Sequence, residues 1–263
     1  MVAAGTCVYA GYRLSGGVGI GPAVWAVALT AVVAGLGNMI NDYFDATIDR
    51  VNKPHRPIPS GRLSRRYVLG AYAVGTAAVT ALMPFVLPAG LFVFMAVWEG
   101  LLYLYAGKAK RMFLVGNVLV GAVCASAFVV GAAVAGAWSE VAFPFCFAFA
   151  FVLAREFIKG SEDVEGDRPA GANTLAVRYG AEKAGQWGSA LLLVCVLAAP
   201  VPALAGDFGH LYGILVTLLV VPGMVASSYL VLSRPERKAY NRASWILKVE
   251  MLIGILVIGL GRG

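Results

Sequence analysis

The sequence predicts an all-α, polytopic membrane protein, and three observations lead there. Hydrophobic residues fill 60% of the 263 positions and charged residues only 13%, with a mean hydropathy of +0.79. A soluble domain of this length needs a charged surface that this composition cannot supply. The charges are also gathered. No Asp, Glu, Lys or Arg stands between Arg13 and Asp42, Arg66 and Glu99, Arg111 and Glu140, Lys183 and Asp207, or Asp207 and Arg234. Finally, apart from Arg13 and Arg262, every Lys and Arg falls in one of four stretches: 50–66, 108–111, 155–183 and 234–248.

At roughly 20 residues per crossing, the chain reads as nine spans, near 1–12, 21–42, 67–85, 89–106, 113–135, 140–158, 184–205, 210–232 and 244–260. The first is short and has no basic segment before it, so it reads as a first helix that starts late rather than as a cleaved signal. The second and the sixth each run into an acidic cluster. Pro84 and Pro88 mark a tight turn between the third and fourth. Nine spans put all four basic stretches on one side, and that side is the cytoplasm. The intervening turns at 84–90, 136–139 and 206–209 carry no Lys or Arg. The amino terminus is then inside and the carboxyl terminus outside, in a multi-pass protein of the cell membrane. The net charge of +7 is therefore a matter of topology and calls for no nucleic-acid partner. No obligate protein partner is evident. Cys7, Cys124, Cys146 and Cys195 sit singly in apolar spans and read as small buried hydrophobes.

Two four-helix halves plus a ninth helix explain why the acidic clusters recur four spans apart. Such internal symmetry often places the working site between the halves. In the first cluster, Asp42, Asp45 and Asp49 are spaced i, i+3, i+7, with Asn38 and Asn41 on the same stripe, so they share one helix face. In the second, Asp163 and Asp167 are spaced i, i+4. Seven of the chain's 14 acids lie in these two clusters. Carboxylates at the end of a membrane span are costly unless paired or bound to a cation. Two converging acid faces suit a hard cation with oxygen ligands. Mg²⁺ takes one or two carboxylates and fills its shell with water and phosphate oxygens, and a diphosphate ester supplies those. Lys53, Arg56, Lys108, Lys110 and Lys159 are nearby cations for the same task. A solvated helix end with basic flanks is the plainer reading of one such cluster; two at matching places favour function.

The motifs resemble one superfamily. Asn41-Asp-Tyr-Phe-Asp45-Ala-Thr-Ile-Asp49 resembles the NDxxDxxxD motif of the UbiA-type intramembrane prenyltransferases, and Asn52 to Gly61 resembles the segment that follows it. Glu162-Asp163-Val-Glu-Gly-Asp167 resembles their second, DxxxD-type motif, and Tyr105-Ala-Gly-Lys108 their Tyr and Lys region. The resemblance implies a single domain over 1–263, with nine transmembrane helices around a central cavity and a cytoplasmic cap over the acids. It implies Asn41, Asp42, Asp45 and Asp49 at one metal site and Asp163 and Asp167 at another. Asp45, Asp163 and Asp167 are then the catalytic acids, and Lys53, Arg56, Lys108 and Lys159 hold phosphate. The implied cofactor is Mg²⁺; the implied partners are a prenyl diphosphate donor and a lipid-like acceptor in the bilayer. Arg155 to Arg168, followed by Gly171-Ala-Asn-Thr-Leu175, resembles the digeranylgeranylglyceryl phosphate synthase branch, which moves a geranylgeranyl group to geranylgeranylglyceryl phosphate. Chlorophyll synthase shares a similar Arg-Pro-Ile-Pro-Ser-Gly stretch. Family members carry a polar segment around the first helix that this chain starts too late to include.

Some residues stay open between two readings. Glu99, inside the fourth span, is equally a functional acid and a paired or protonated helix-end group. Phe145, Phe147, Phe149 and Phe151 line a prenyl tunnel or face lipid, because helices apolar all round carry no periodicity to decide. His55 reads as solvated, and His210 lies on the far side from the acids. Two rivals stand beside the main reading. One is a prenyltransferase with an aromatic or chlorophyllide acceptor. The other is an ion-coupled transporter, which would bury its acids near the bilayer midplane rather than among Lys and Arg at the span ends.

Overall fold

The computed structural model describes residues 1–261, the side chains of Val2, Val51 and Asn52 excepted, so Arg262 lies outside the described residues. Every regular element among them is helical. The first part of the chain forms α1 (Val2–Leu14), α2 (Val24–Asn52), α3 (Arg65–Val86), α4 (Ala89–Gly107), α5 (Val115–Ala135) and α6 (Ala142–Asp167). The rest forms α7 (Leu175–Tyr179), α8 (Ala181–Ala198), α9 (Val201–Ala205), α10 (His210–Leu215), α11 (Val221–Ser233) and α12 (Arg237–Gly259). A π-helical segment, Val216–Val220, joins α10 to α11.

Large apolar side chains point outward all around the bundle, Val74, Phe85, Leu197 and Leu204 among them. Helices that are apolar on every face belong in hydrocarbon, not in water. Among the described residues, seven helical stretches are long and apolar enough to cross a membrane. The expectation of nine spans is met only this far. The first span is α1, with 13 residues, about 20 Å at 1.5 Å per residue and short of a hydrocarbon core of about 30 Å. The ninth is α12, which carries Arg242, Lys248 and Glu250 within its length.

Two edges move in a way that matters. α2 continues through Asn52 and α6 through Asp167, so both acidic clusters are unbroken helix beyond the apolar spans. One turn also moves: Pro84 lies inside α3, and the chain reverses at Leu87 and Pro88. Proline has no N–H, so α3 lacks the bond from residue 84 to the Thr80 carbonyl, two residues before the helix ends.

Close helix contact holds the bundle together, since lipid offers no hydrophobic drive between helices. α1 packs along α5 because neither helix has a side chain in the way. A Cβ on Gly11 would collide with the Phe128 carbonyl, and one on Gly131 with the carbonyl of Val8. α6 touches α5, α8 and α12, while α2 touches α1, α3 and α4. α2 and α6 also meet each other, and that meeting positions the site.

Candidate active site

The two acidic ends converge on one polar cavity of about 140 Å³. Asn41, Asp45 and Asp49 line it from α2; Lys159, Asp163 and Asp167 line it from α6. Each set shares a face because its spacing follows the helical repeat. The connections complete the wall. Lys53 and Arg56 come from the segment after α2, Lys110 and Arg111 from the turn after α4, and Ala172 and Thr174 from the segment after α6.

Each connection is fastened locally. After α2, Gly61 takes a positive φ of 78° and the Arg62 guanidinium donates to the His55 carbonyl at 2.6 Å. Ser64 then caps α3 by accepting from the Tyr67 amide. This turns Arg56 back beneath α2, where one nitrogen donates to Asp42 Oδ1 at 2.8 Å and to Asp49 Oδ2 at 2.7 Å. After α4, the short 3₁₀ turn Ala109–Arg111 is followed by Leu114 at φ 58°, a strained conformation for a residue with a side chain. Gly116 has no Cβ, and one would strike the Lys110 backbone. The turn therefore lies flat on α5 and aims Lys110 at α2. Its ammonium donates to Asn41 Oδ1 at 3.0 Å and pairs with Asp45 Oδ1. The Asn173 amide donates to the Arg111 carbonyl at 2.8 Å, and Arg178 stacks over Phe113 at 4.9 Å. These contacts tie the segment after α6 to the turn after α4.

Two expected residues fall outside. Asp42 does not line the cavity, and its partly exposed carboxyl is held by Arg56 instead. Lys108 ends α4 and points to the exterior; Lys110, two residues on, occupies the cavity. The second cluster also divides. Asp163 and Asp167 face the cavity, but Glu162 accepts from Asn241 at 2.7 Å and Glu165 pairs with Arg237 at 3.1 Å, both on α12. Burial pushes the Lys110 ammonium below the usual lysine range, against the pull of Asp45.

Below the polar cavity lies a larger, apolar chamber of about 420 Å³, walled by α1, α2, α4, α5, α6 and α12. Asn41, Tyr105, Glu156 and Lys159 line both spaces and form the neck between them. Glu156 was not singled out from sequence. The signal was present: it precedes Lys159, Asp163 and Asp167 by 3, 7 and 11 residues on the same helix and so extends the α6 face. Phe147 and Phe151 line the chamber, whereas Phe145 and Phe149 do not, which answers the question the periodicity left open. Glu99 lines neither space; its Oε2 accepts from Thr80 Oγ1 at 2.6 Å and joins α4 to α3.

Among the described residues, no three His, Cys, Asp or Glu side chains converge on one metal position. The arrangement offers hard oxygen donors in ones and twos, flanked by ammonium and guanidinium groups. Those are the conditions for an anion bridged to a divalent cation, with phosphate oxygens completing the shell.

Known proteins place this geometry. A relative named digeranylgeranylglyceryl phosphate synthase, from Methanothermobacter thermautotrophicus, is 37% identical over 245 residues, covering 91% of this chain and 86% of the relative. A solved structure described as giving structural and mechanistic insights into digeranylgeranylglyceryl phosphate synthase in membranes matches with a TM-score of 0.75. Its identity is 28%, over 99% of this chain and 93% of that one. A UbiA homolog from Archaeoglobus fulgidus, solved bound to DMAPP and Mg²⁺, shares the fold with a TM-score of 0.68 at 18% identity, over 97% and 96% of the two chains. The profile of the UbiA prenyltransferase family matches residues 3–252. With the family's profile spanning nearly the whole chain and the acids of α2 and α6 meeting at one cavity, this protein belongs to the UbiA prenyltransferase family.

Proposed function

We propose that this protein transfers a geranylgeranyl group from geranylgeranyl diphosphate to the free hydroxyl of geranylgeranylglyceryl phosphate, in archaeal ether-lipid synthesis. The observation that carries the reading is the junction of the two cavities. A cation-lined polar space opens through a four-residue neck into an apolar chamber, and a prenyl diphosphate is polar and apolar in that order. The relative's name supports the acceptor. The density of cations supports it too. A glycerol phosphate head sets a second anion beside the diphosphate, and Lys53, Arg56, Lys110, Arg111 and Lys159 all line the polar space.

Mg²⁺ is the proposed cofactor, and the donor set fits it: carboxylate and amide oxygens with no sulfur or imidazole at the cavity. Asn41 and Asp45, with Asp49 behind them, would hold one ion, and Asp163 and Asp167 another. When bound, Mg²⁺ neutralises charge that builds on the leaving diphosphate. The chain's own part is to hold and to exclude. Lys53, Lys110, Arg111 and Lys159 grip phosphate oxygens, with Arg suited to a bidentate hold. The neck sets the allylic carbon at the boundary between the two spaces, and the apolar chamber keeps water from the developing cation. The allylic C–O bond breaks with its electron pair going to diphosphate, and the acceptor oxygen bonds to that carbon. The acceptor's proton leaves to a carboxylate at the neck, for which Glu156 is placed, or to the departing diphosphate.

In this reading the chain crosses the membrane nine times, with α1 and α12 included. The three connections at the polar cavity form a cap on the cytoplasmic side. Positive-inside bias supports that side. Cysteine labelling tests it: positions near 60 and 170 react from one face only and positions near 137 from the other. Reaction of 60 and 170 from opposite faces would reject the topology.

The decisive assay supplies purified protein with geranylgeranyl diphosphate, Mg²⁺ and a panel of glyceryl ether phosphate, dephosphorylated glyceryl ether, hydroxybenzoate, naphthoate and chlorophyllide. The expected result is turnover of the phosphorylated glyceryl ether and little of the others. Equal turnover of the dephosphorylated ether, or preference for an aromatic acceptor, would remove this acceptor.

A further inference from the structure

The mechanism above leaves two buried acids, Glu99 and Glu250, without a task. Glu250 lies on α12, 9% exposed, on the wall of the apolar chamber beside Met251 and Gly254. Its Oε2 has no hydrogen-bond partner among the described residues, and a buried polar atom left unpaired destabilises a fold. The fold nevertheless makes room for it. On α11, Gly223 stands against this carboxyl, and a Cβ there would collide with Glu250 Oε1, Cδ and Cγ. The π-helical segment just before α11 brings Val220 to the same wall, and π segments inside helices gather at functional sites. Glu99 is the contrast. It is as buried, at 8%, and Oε1 is unpaired, but Oε2 is bonded to Thr80 and the side chain reaches neither cavity.

Depth can be read along the helices. Asn241 on α12 bonds Glu162 on α6, and the pair Arg237 and Glu165 shows that the two helices run antiparallel. From the Asn241 tie, Glu156 lies six residues along α6 and Glu250 nine along α12, about 9 and 14 Å at 1.5 Å per residue. Helical side chains lean toward their own N-terminus. Glu250 therefore leans back toward the polar cavity, while Glu156 leans away from it. The two carboxyls stand within roughly one helical turn of each other in depth, on the wall of one chamber.

We propose that Glu250 recognises the acceptor: its carboxyl holds the hydroxyl of the second substrate just below the neck. The inference rests on the proposed acceptor. Both substrates carry a long isoprenoid chain, so an apolar wall cannot tell them apart. From its first carbon inward the donor is hydrocarbon and offers nothing to a carboxyl at this depth. The acceptor alone carries an O–H behind its phosphate. A carboxylate accepts from that O–H, and a carboxylic acid both accepts and donates. Thr30 and Trp98 also bring an unpaired polar atom to this mostly apolar chamber, but Glu250 brings the carboxyl, the stronger acceptor for an O–H, and it thus favours the alcohol and holds it beside the reacting carbon. No covalent step passes through Glu250.

The test compares wild type with Glu250→Leu and Glu250→Gln. Leu should raise the acceptor KM by about tenfold, the worth of one hydrogen bond, while the donor KM and acceptor-free, Mg²⁺-dependent diphosphate release stay within about twofold, as a change confined to acceptor binding requires. Gln keeps a hydrogen-bonding end and should recover most of the loss. A deoxy analogue of the acceptor, used as an inhibitor, should bind wild type and the Leu variant alike. If KM rises equally for both substrates, or if only the unfolding temperature moves, Glu250 is structural and the inference fails. Unchanged kinetics in the Leu variant also overturns it. Should Leu not fold, Glu250→Ala, which removes the carboxyl without adding bulk against Gly223, takes its place in the same comparison of acceptor and deoxy analogue. A wild type that uses no glyceryl ether phosphate rejects the proposed acceptor before any variant is compared, and the inference falls with it. Normal wild-type turnover with an unaffected Leu variant rejects the inference alone.

Discussion

The acid stripes of α2 and α6 reach the same cavity with different companions. On α2, Asp42 and Asp49 both accept from Arg56, and Asp45 is held by Lys110. On α6, Lys159 stands 4.0 Å from Asp163, the outer limit of an ion pair, and Asp167 has no ion pair among the described residues. The α2 acids are thus neutralised by cations from the two connections they hold in place. The cavity-facing acids of α6 are far less engaged, with one ion pair at its limiting distance among the described residues. A stripe that is paired internally supports the walls of the site and must exchange partners when substrate arrives. In the proposed function, a stripe with so little internal pairing is the readier one to take a cation from outside. Removing an acid should therefore abolish chemistry at either stripe but disturb folding only at the first.

The largest expected effects test whether the stripes serve one site. EDTA should stop transfer and added Mg²⁺ should restore it, because one or two carboxylates per ion leave the metal exchangeable. Asp163→Ala and Asp45→Ala should each lower kcat/KM by about a thousandfold or more, several kcal/mol of lost charge stabilisation. Full activity in Asp163→Ala would break the comparison at its root. Folding then separates the two variants. Asp45→Ala leaves the Lys110 ammonium half-buried without its carboxylate, so its unfolding temperature should fall measurably below that of Asp163→Ala.

A smaller effect distinguishes two lysines two residues apart. Lys110→Met should lower kcat/KM by about 10- to 100-fold, the range for a hydrogen bond to a charged group. Lys108→Met, exposed at the end of α4, should stay near wild type. Equal losses would mean that the turn after α4 moves on binding and brings Lys108 in. The smallest effect concerns the acids that turn away. Glu165→Ala removes an exposed pair with Arg237, so stability should change by about 1 kcal/mol or less and activity should hold. A large loss of transfer there would bring Glu165 back to the site.

Chain chemistry alone determines a good deal of this protein. Uncharged runs too long for a soluble core are enough for apolar spans, because hydrocarbon admits few charges. Asp42, Asp45 and Asp49 share a face by arithmetic, as do Asp163 and Asp167, since 100° per residue holds wherever the helix continues. Order and spacing of these motifs also carried the family. What the sequence left undecided depends on neighbours rather than on spacing. Lys108 and Lys110 are alike in type and close in the chain; the 3₁₀ turn, the strained Leu114 and the missing Cβ of Gly116 select the second. Glu162 and Glu165 sit in the same run as Asp163 and Asp167, yet α12 lies on their side and takes them as partners. Phe147 and Phe151 face the chamber while Phe145 and Phe149 do not, a distinction hidden in helices whose every face is apolar. Glu250 is one acid inside the ninth span, two residues past Lys248, until α11 presents Gly223 to it. In lipid, polarity no longer sorts inside from outside, so which face of a helix turns inward is decided by packing against its neighbours.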